Sequence, residues 1–210
     1  MAETSVAALD PRLQKQVESA RVAYGRGNFD YTVTLCRSIL KETPNCLSVR
    51  KLHRTAAQRL RHGSGSPFAA TVGVMSNSPF VFRPDALPEK EPLAAVENSE
   101  EMIETDPDDV AALRLLGAAA SALGWRETAV FAYESICERL PRDTENLVAL
   151  GDAQLAAGRP ADAVATAERA LRIDAVNDNA FALFKKASMA LTIKNGRGDE
   201  AGDFRSRLRA

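Results

Sequence analysis

Aromatic side chains are scarce in this chain of 210 residues: Phe, Tyr and Trp together make up 6%, with a single Trp. Single-stranded nucleic acids stack their bases on aromatic rings and pair their phosphates with excess positive charge. Here 27 Lys and Arg are offset by 28 Asp and Glu, so the composition argues against nucleic acid as a partner. The same balance gives no pull toward an anionic membrane surface. No run of 18 apolar residues occurs, so no transmembrane helix is expected. The N-terminus carries Glu3 where a secretory signal needs bases, and no apolar stretch follows it. Cysteine is also rare. Cys36, Cys46 and Cys137 are odd in number and far apart, which is no disulfide framework and fits a reducing, cytoplasmic setting.

Catalytic chemistry is equally thin. The two histidines, His53 and His62, combine with Cys36 and Cys46 in no known metal-ligand spacing. Cys36 falls on an apolar helix face and reads as a buried thiol. There is no Gly-rich phosphate loop, no nucleophile elbow and no catalytic carboxylate pair. The acidic run Asp106 to Asp109 contains Pro107 and precedes a helix, so it reads as helix termination and N-capping. The expectation is a protein with no enzyme activity, no cofactor and no metal.

What the sequence does contain is a period. Val110–Asp143 laid over Thr144–Asn177 aligns at an offset of 34: Leu113 on Leu147, Leu116-Gly117 on Leu150-Gly151, Gly124 on Gly158, and Ala129-Val130 on Ala163-Val164. A period of this length marks a helix–turn–helix repeat whose units bury their apolar faces only against their neighbours. Upstream, Asp10-Pro11 is a helix start signal, and Leu13, Val17, Ala20 and Tyr24 recur at helical spacing until Gly25-Arg26-Gly27. A second helix begins near Asp30, with Val33, Cys36, Ile39 and Leu40 on one face. Gly27, Thr32, Cys36, Ile39 and Pro44 repeat the spacing of Gly124, Ala129, Tyr133, Ile136 and Pro141. Residues 13–46 thus form a degenerate first unit.

Residues 47–62 give the next first helix, but its matching second helix appears only at 92–106. One unit, 47–62 plus 92–109, is split by an insertion of about 29 residues at 63–91. That insertion holds Pro67, Pro79, Pro84 and Pro88, so it is not one continuous helix. Its 67–82 portion is apolar, with Phe68, Val72, Phe80 and Phe82 among others. Three fates are open for it: folding back on the repeats, docking or self-assembly, and contact with a membrane surface. Units 110–143 and 144–177 follow. Asp178-Asn179 then start a capping helix, 178–194, before Asn195-Gly196-Arg197-Gly198 breaks the chain and leaves 195–210 as a tail or short helix.

The repeated residues resemble the tetratricopeptide repeat: Leu113, Leu116-Gly117, Gly124, Ala129 and Pro141, and again Leu147, Leu150-Gly151, Gly158 and Ala163. The resemblance implies an all-α fold, a right-handed α-solenoid of antiparallel helix pairs. It would hold about four units and a C-terminal capping helix in a single domain, 1–194, with a non-helical insertion splitting the second unit. It implies close helix contact at Gly117 and Gly151, with Ala129 and Ala163 as small residues on the second helices. It also implies a groove lined by first helices that binds a partner peptide or helix. The corresponding positions are Lys51, Thr55, Arg59, Arg114, Leu115, Ala118, Ser121, Val148, Asp152, Leu155, Lys186 and Met189. Some members of the family grip the acidic tails of heat-shock chaperones through a Lys, Asn and Arg clamp. The clamp positions here are Val17, Arg21, Leu52, Ala111 and Leu115, so that clamp is missing.

Charge is uneven along the chain. Residues 1–62 hold 11 basic and 5 acidic residues, whereas 63–109 hold 2 and 10. Helices 47–62 and 92–106 are expected hairpin partners that neutralise each other; alternatively, Lys51, Arg54, Arg59 and Arg61 form an anion site. Three functions follow in order: an adaptor or scaffold binding another protein or peptide, a self-assembling homo-oligomer using 67–82 or the terminal helix, and an anion or nucleic-acid binder through 47–62.

Overall fold

A computed structural model describes the backbone of residues 2–63 and 89–207, with side chains as far as Gly196. The readings of the apolar segment 67–82 fall outside the described residues. Within them every regular element is helical, with no strand. A 3-10 turn, Val6–Ala8, precedes α1 (Pro11–Gly25), α2 (Phe29–Glu42), α3 (Leu47–Gly63), α4 (Pro92–Thr105), α5 (Val110–Leu123), α6 (Arg126–Arg139), α7 (Thr144–Ala156), α8 (Pro160–Ile173) and α9 (Asp178–Arg207). They form two compact units, Met1–Ala132 and Tyr133–Ala210.

The first unit is built outward from a shared apolar seam. Leu13, Val17 and Ala20 recur on one face of α1 because three or four residues complete a turn. They meet Cys36, Ile39 and Leu40 of α2, and Cys46 and Val49 at the start of α3 complete the cluster. Asp10 caps α1 by accepting from Arg12 N–H at 2.8 Å, as its Asp-Pro start requires. Further along, α4 packs on α5, with Ala95, Val96 and Ile103 buried on the former and Leu113 and Leu116 on the latter.

The second unit is built from smaller side chains. Helices α7 and α8 pack as an antiparallel pair through Leu147 and Leu150 on one side and Ala163, Ala167 and Ala170 on the other. Thr166 on α8 donates its hydroxyl to Gln154 Oε1 at 2.8 Å, satisfying two buried polar groups. Helix α9 then lies against both, burying Ala180, Leu183 and Ala187.

Three expectations change here. Gly151 does not admit its own hairpin mate; a Cβ there would lie 2.3 Å from Leu183 Cδ2, so the space it leaves is filled by the next first helix, α9. The cap of α9 is Asn177, whose Oδ1 accepts from Ala180 N–H at 2.9 Å, rather than Asp178-Asn179. Finally, the expected break at Asn195-Gly196-Arg197-Gly198 is absent, and α9 continues through it to Arg207. A glycine costs a helix only ~1 kcal/mol relative to alanine, and two such costs do not force termination without a capping conformation.

The Gly151–Leu183 contact gives a sign test. Gly151→Ala alone should lower stability, because overpacking at ~1–3 kcal/mol exceeds the ~1 kcal/mol gain in helix propensity. In a Leu183→Ala background the same change should raise stability. Urea denaturation midpoints of the four chains measure both effects, and equal shifts in the two backgrounds would refute the contact.

Candidate functional site

Helix α3 organises the first unit electrically. Its side chains at 50, 53 and 54 are buried although all three are cationic or titratable: Arg50 2%, His53 2% and Arg54 7% exposed. Burying such groups is costly unless each finds a partner. Arg50 donates through Nε and Nη2 to Glu100 Oε1 on α4, at 2.9 and 2.6 Å, and through Nη2 to the Pro44 carbonyl. His53 Nε2 lies 3.0 Å from Glu104 Oε1. Arg54 donates to the Pro107 carbonyl at 2.8 Å and to Asp108 Oδ1 at 3.1 Å, where Gln58 also donates at 2.8 Å. Arg37 on α2 joins Glu104, and Arg61 pairs with Asp106. Trp125 is fully enclosed, with the Arg50 guanidinium 5.6 Å from its ring centroid.

Mutual neutralisation of α3 and α4 is therefore what the helices do. They meet through these long side chains, while their backbones stay further apart than those of α2 and α3, unlike close hairpin mates. The anion-site alternative loses Arg54 and Arg61 to pairs within the chain, leaving Lys51 and Arg59 at the surface.

None of the twelve expected contact residues is buried. On the first unit Lys51, Thr55, Arg59, Arg114 and Ser121 are exposed, and Leu115 and Ala118 are half-buried. Lys51 Nζ sits 5.5 Å from the Phe131 ring centroid, a cation–π distance. On the second unit Asp152, Lys186 and Met189 are exposed, and Val148 and Leu155 are half-buried. Lys185, which stands where the two middle units have Gly117 and Gly151, is exposed, with its Nζ 4.4 Å from the Phe181 ring centroid. Residue-type reasoning along α3 missed that Arg50 is enclosed; the one available signal was its place one residue beyond Val49 on the apolar side.

The period reappears in three dimensions. Asp109 and Asp143 cap α5 and α7 at an offset of 34, and Asn177 caps α9 at the next. Gly124 and Gly158, at the same offset, close α5 and α7 with φ of 73° and 74°, the left-handed conformation that glycine adopts at little cost. Gly27 does the same after α1, with φ 79°. Small or apolar residues fill the matching second-helix positions: Ala129, Ala163, Ile136 and Ala170 are all enclosed. The described helices follow a tetratricopeptide-repeat-like fold.

No protein-family model and no curated protein matches the sequence. Among solved structures the chain is similar to TTC0263, a thermophilic TPR protein of Thermus thermophilus. That likeness has 15% identity and a TM-score of 0.40, covering 85% of this chain and 82% of the other. It is also similar to the TPR2AB domain of yeast Sti1 in its pHSP90 complex, at 20% identity and a TM-score of 0.43, covering 84% and 69% respectively. At these scores neither likeness bears on partner or activity, and the assignment of the hairpins rests on the period.

Among the described residues no group of three His, Cys, Asp or Glu side chains is placed to hold a metal ion, and no helix is long and apolar enough to cross a membrane. The thiols are enclosed. Burial pushes Cys36 up to about 12 and Cys137 up to about 11, so the reactive thiolate is nearly absent at neutral pH. Cys46 is enclosed as well, so iodoacetamide at pH 7.5 should add nothing to the folded chain and three adducts in urea, as read by intact mass.

Glu104 gives a pH prediction. Burial alone would raise its carboxyl, but hydrogen bonds from His53 and Arg37 outweigh burial and hold it below its ordinary 4.5. A folded-state pKa below the unfolded one means this contribution is complete above the unfolded value. It is lost as pH falls through 4.5 and then through the lower folded value. Stability measured by urea denaturation should therefore fall from about pH 6 to about pH 3.5 less steeply in Glu104→Gln than in the native sequence.

Proposed function

We propose that this protein is a non-catalytic adaptor that binds a peptide or helix of another protein on the surface of its first helices. The reading is supported by Leu115, Val148 and Leu155, apolar side chains on α5 and α7 that stay only half-buried. On helices of this architecture, apolar positions not enclosed by the hairpins are the ones available to a partner. On the first unit Ala118 and Ser121 keep the surface of α5 low beside Leu115, while Lys51, Thr55, Arg59 and Arg114 supply charge and reach; on the second, Asp152, Lys186 and Met189 do so for Val148 and Leu155. Each unit binds its own segment, in the cytoplasm, where reduced thiols persist.

A second reading has its own observation. Helix α9 exposes Phe181 at 50%, Met189 at 67% and Ile193 at 55%, residues that fall on one side of a 3.6-residue helix. Apolar patches of this kind mark contact surfaces, and a second copy of the chain is the simplest occupant. Light scattering across a hundredfold range of concentration separates the readings, since a constant monomer mass removes self-assembly.

The adaptor reading is tested by comparing proteins retained from a cell extract by the native chain and by a Leu115→Glu/Leu155→Glu double variant with matching circular dichroism. The variant should lose a specific subset, since a charge in a desolvated contact costs on the order of 2 kcal/mol or more. Identical sets would sink the first-helix surface as the binding site.

A further inference from the structure

Residues 2–9 lie along the first unit as a strap, interrupted only by the turn Val6–Ala8. Glu3 reaches the N-terminus of α6. Its Oε1 accepts from the Thr128 N–H at 2.7 Å and the Thr128 hydroxyl at 2.6 Å, and its Oε2 accepts from the Glu127 N–H at 3.0 Å. One residue on, the Thr4 N–H donates to the Asn45 carbonyl at 3.0 Å, while Asn45 Nδ2 donates to the Ala2 carbonyl and to Thr4 Oγ1.

The receiving groups belong to the helical fold, whereas the strap joins the core only at its far end, where Leu9 is buried with Val6 packed beside it and Gln14 donates to the Ala7 and Leu9 carbonyls. Thr128 is fully enclosed and Asn45 is 5% exposed. By contrast Ala2, Ser5, Ala7 and Ala8 are exposed, and Leu9 is the strap's one buried residue. Fixed buried donors holding a thinly buried segment by its carboxylate and backbone is how a protein holds a peptide, not how it packs a core element. A buried cation adjoins the cradle. Arg50 donates to the carbonyl of Pro44, next to Asn45, and lies over Trp125, next to α6; its Nη1 has no hydrogen-bond partner. A helix N-terminus and an incompletely used guanidinium together favour an acid here.

We propose that this cradle is a binding site for an extended acidic peptide segment of a partner protein, and that Ala2–Leu9 is its intramolecular occupant. The ligand presents a carbonyl, then a Glu side chain, then the N–H and hydroxyl of Ser or Thr, in the order that Ala2, Glu3 and Thr4 present them. The site shares none of the first-helix positions of the adaptor surface, so either reading stands without the other. Because the tethered strap competes at high effective concentration, an external peptide binds well only when the strap is unseated.

The probe is a fluorescent synthetic peptide with the sequence of residues 2–9, titrated by anisotropy into the full chain and into its Glu3→Lys variant. The variant should bind it about tenfold or more tighter than the native chain does. Binding should be lost when the peptide's Glu is Gln, or when Thr128→Val is added to the variant. No binding to Glu3→Lys, equal binding to both chains, or indifference to Glu versus Gln in the peptide would each overturn the proposal. Glu3→Gln serves as the milder variant; if neither keeps the native circular dichroism, the strap is an integral part of the fold and the proposal fails.

Discussion

A guanidinium withdrawn from water is tolerable only where its charge is met, and Arg50 sets that condition at the centre of the first unit. Its answer is Glu100, on a helix that enters the chain only after the stretch 64–88. The same condition, repeated at His53 and Arg54, places Glu104 and the Pro107–Asp108 turn. Once that turn is fixed, Asp109 is in place to cap α5, and α5 begins the regular part of the repeat. The order of dependence therefore runs from a buried cation to an acidic helix to the loop that starts the best-preserved hairpin. Removing Glu100 would strand a charge that no water reaches, which for buried pairs costs about 3–5 kcal/mol.

Much of this was legible. The offset of 34 located the helices of the middle units because left-handed glycines and small residues are demanded by geometry rather than by partner. The opposite charges of 47–62 and 92–106 foretold their association. Other features were not readable, and for identifiable reasons. Glu3 and Thr128 are separated by 125 positions, and no periodicity relates a capping carboxylate to a helix that distant. Gly196 and Gly198 look like a stop when read locally, but a stop needs a left-handed residue or a competing cap, and α9 has neither there. A small residue such as Gly151 announces close approach without naming what approaches, here Leu183 of α9. Asn177 and Asp178 are both good caps by residue type, and only the backbone decides which one stands outside the helix.

The two units hold their helices together by different means, and the difference has consequences. In the second, contact is made by Ala163, Ala167, Ala170, Ala180 and Ala187, with Gly151 receiving Leu183. Such surfaces specify distance well and direction poorly, since apolar contact is not directional. Consecutive hairpins joined by short turns need no more than that. In the first unit α3 and α4 are not consecutive across a short turn: residues 64–91 lie between them in sequence. Hydrogen bonds from Arg50 to Glu100 and from Arg54 to the Pro107 carbonyl supply the direction instead, because each tolerates only a narrow range of position. A buried charged contact adds less stability than an apolar one of equal size. Its presence where the repeat is split is what a requirement for register would produce.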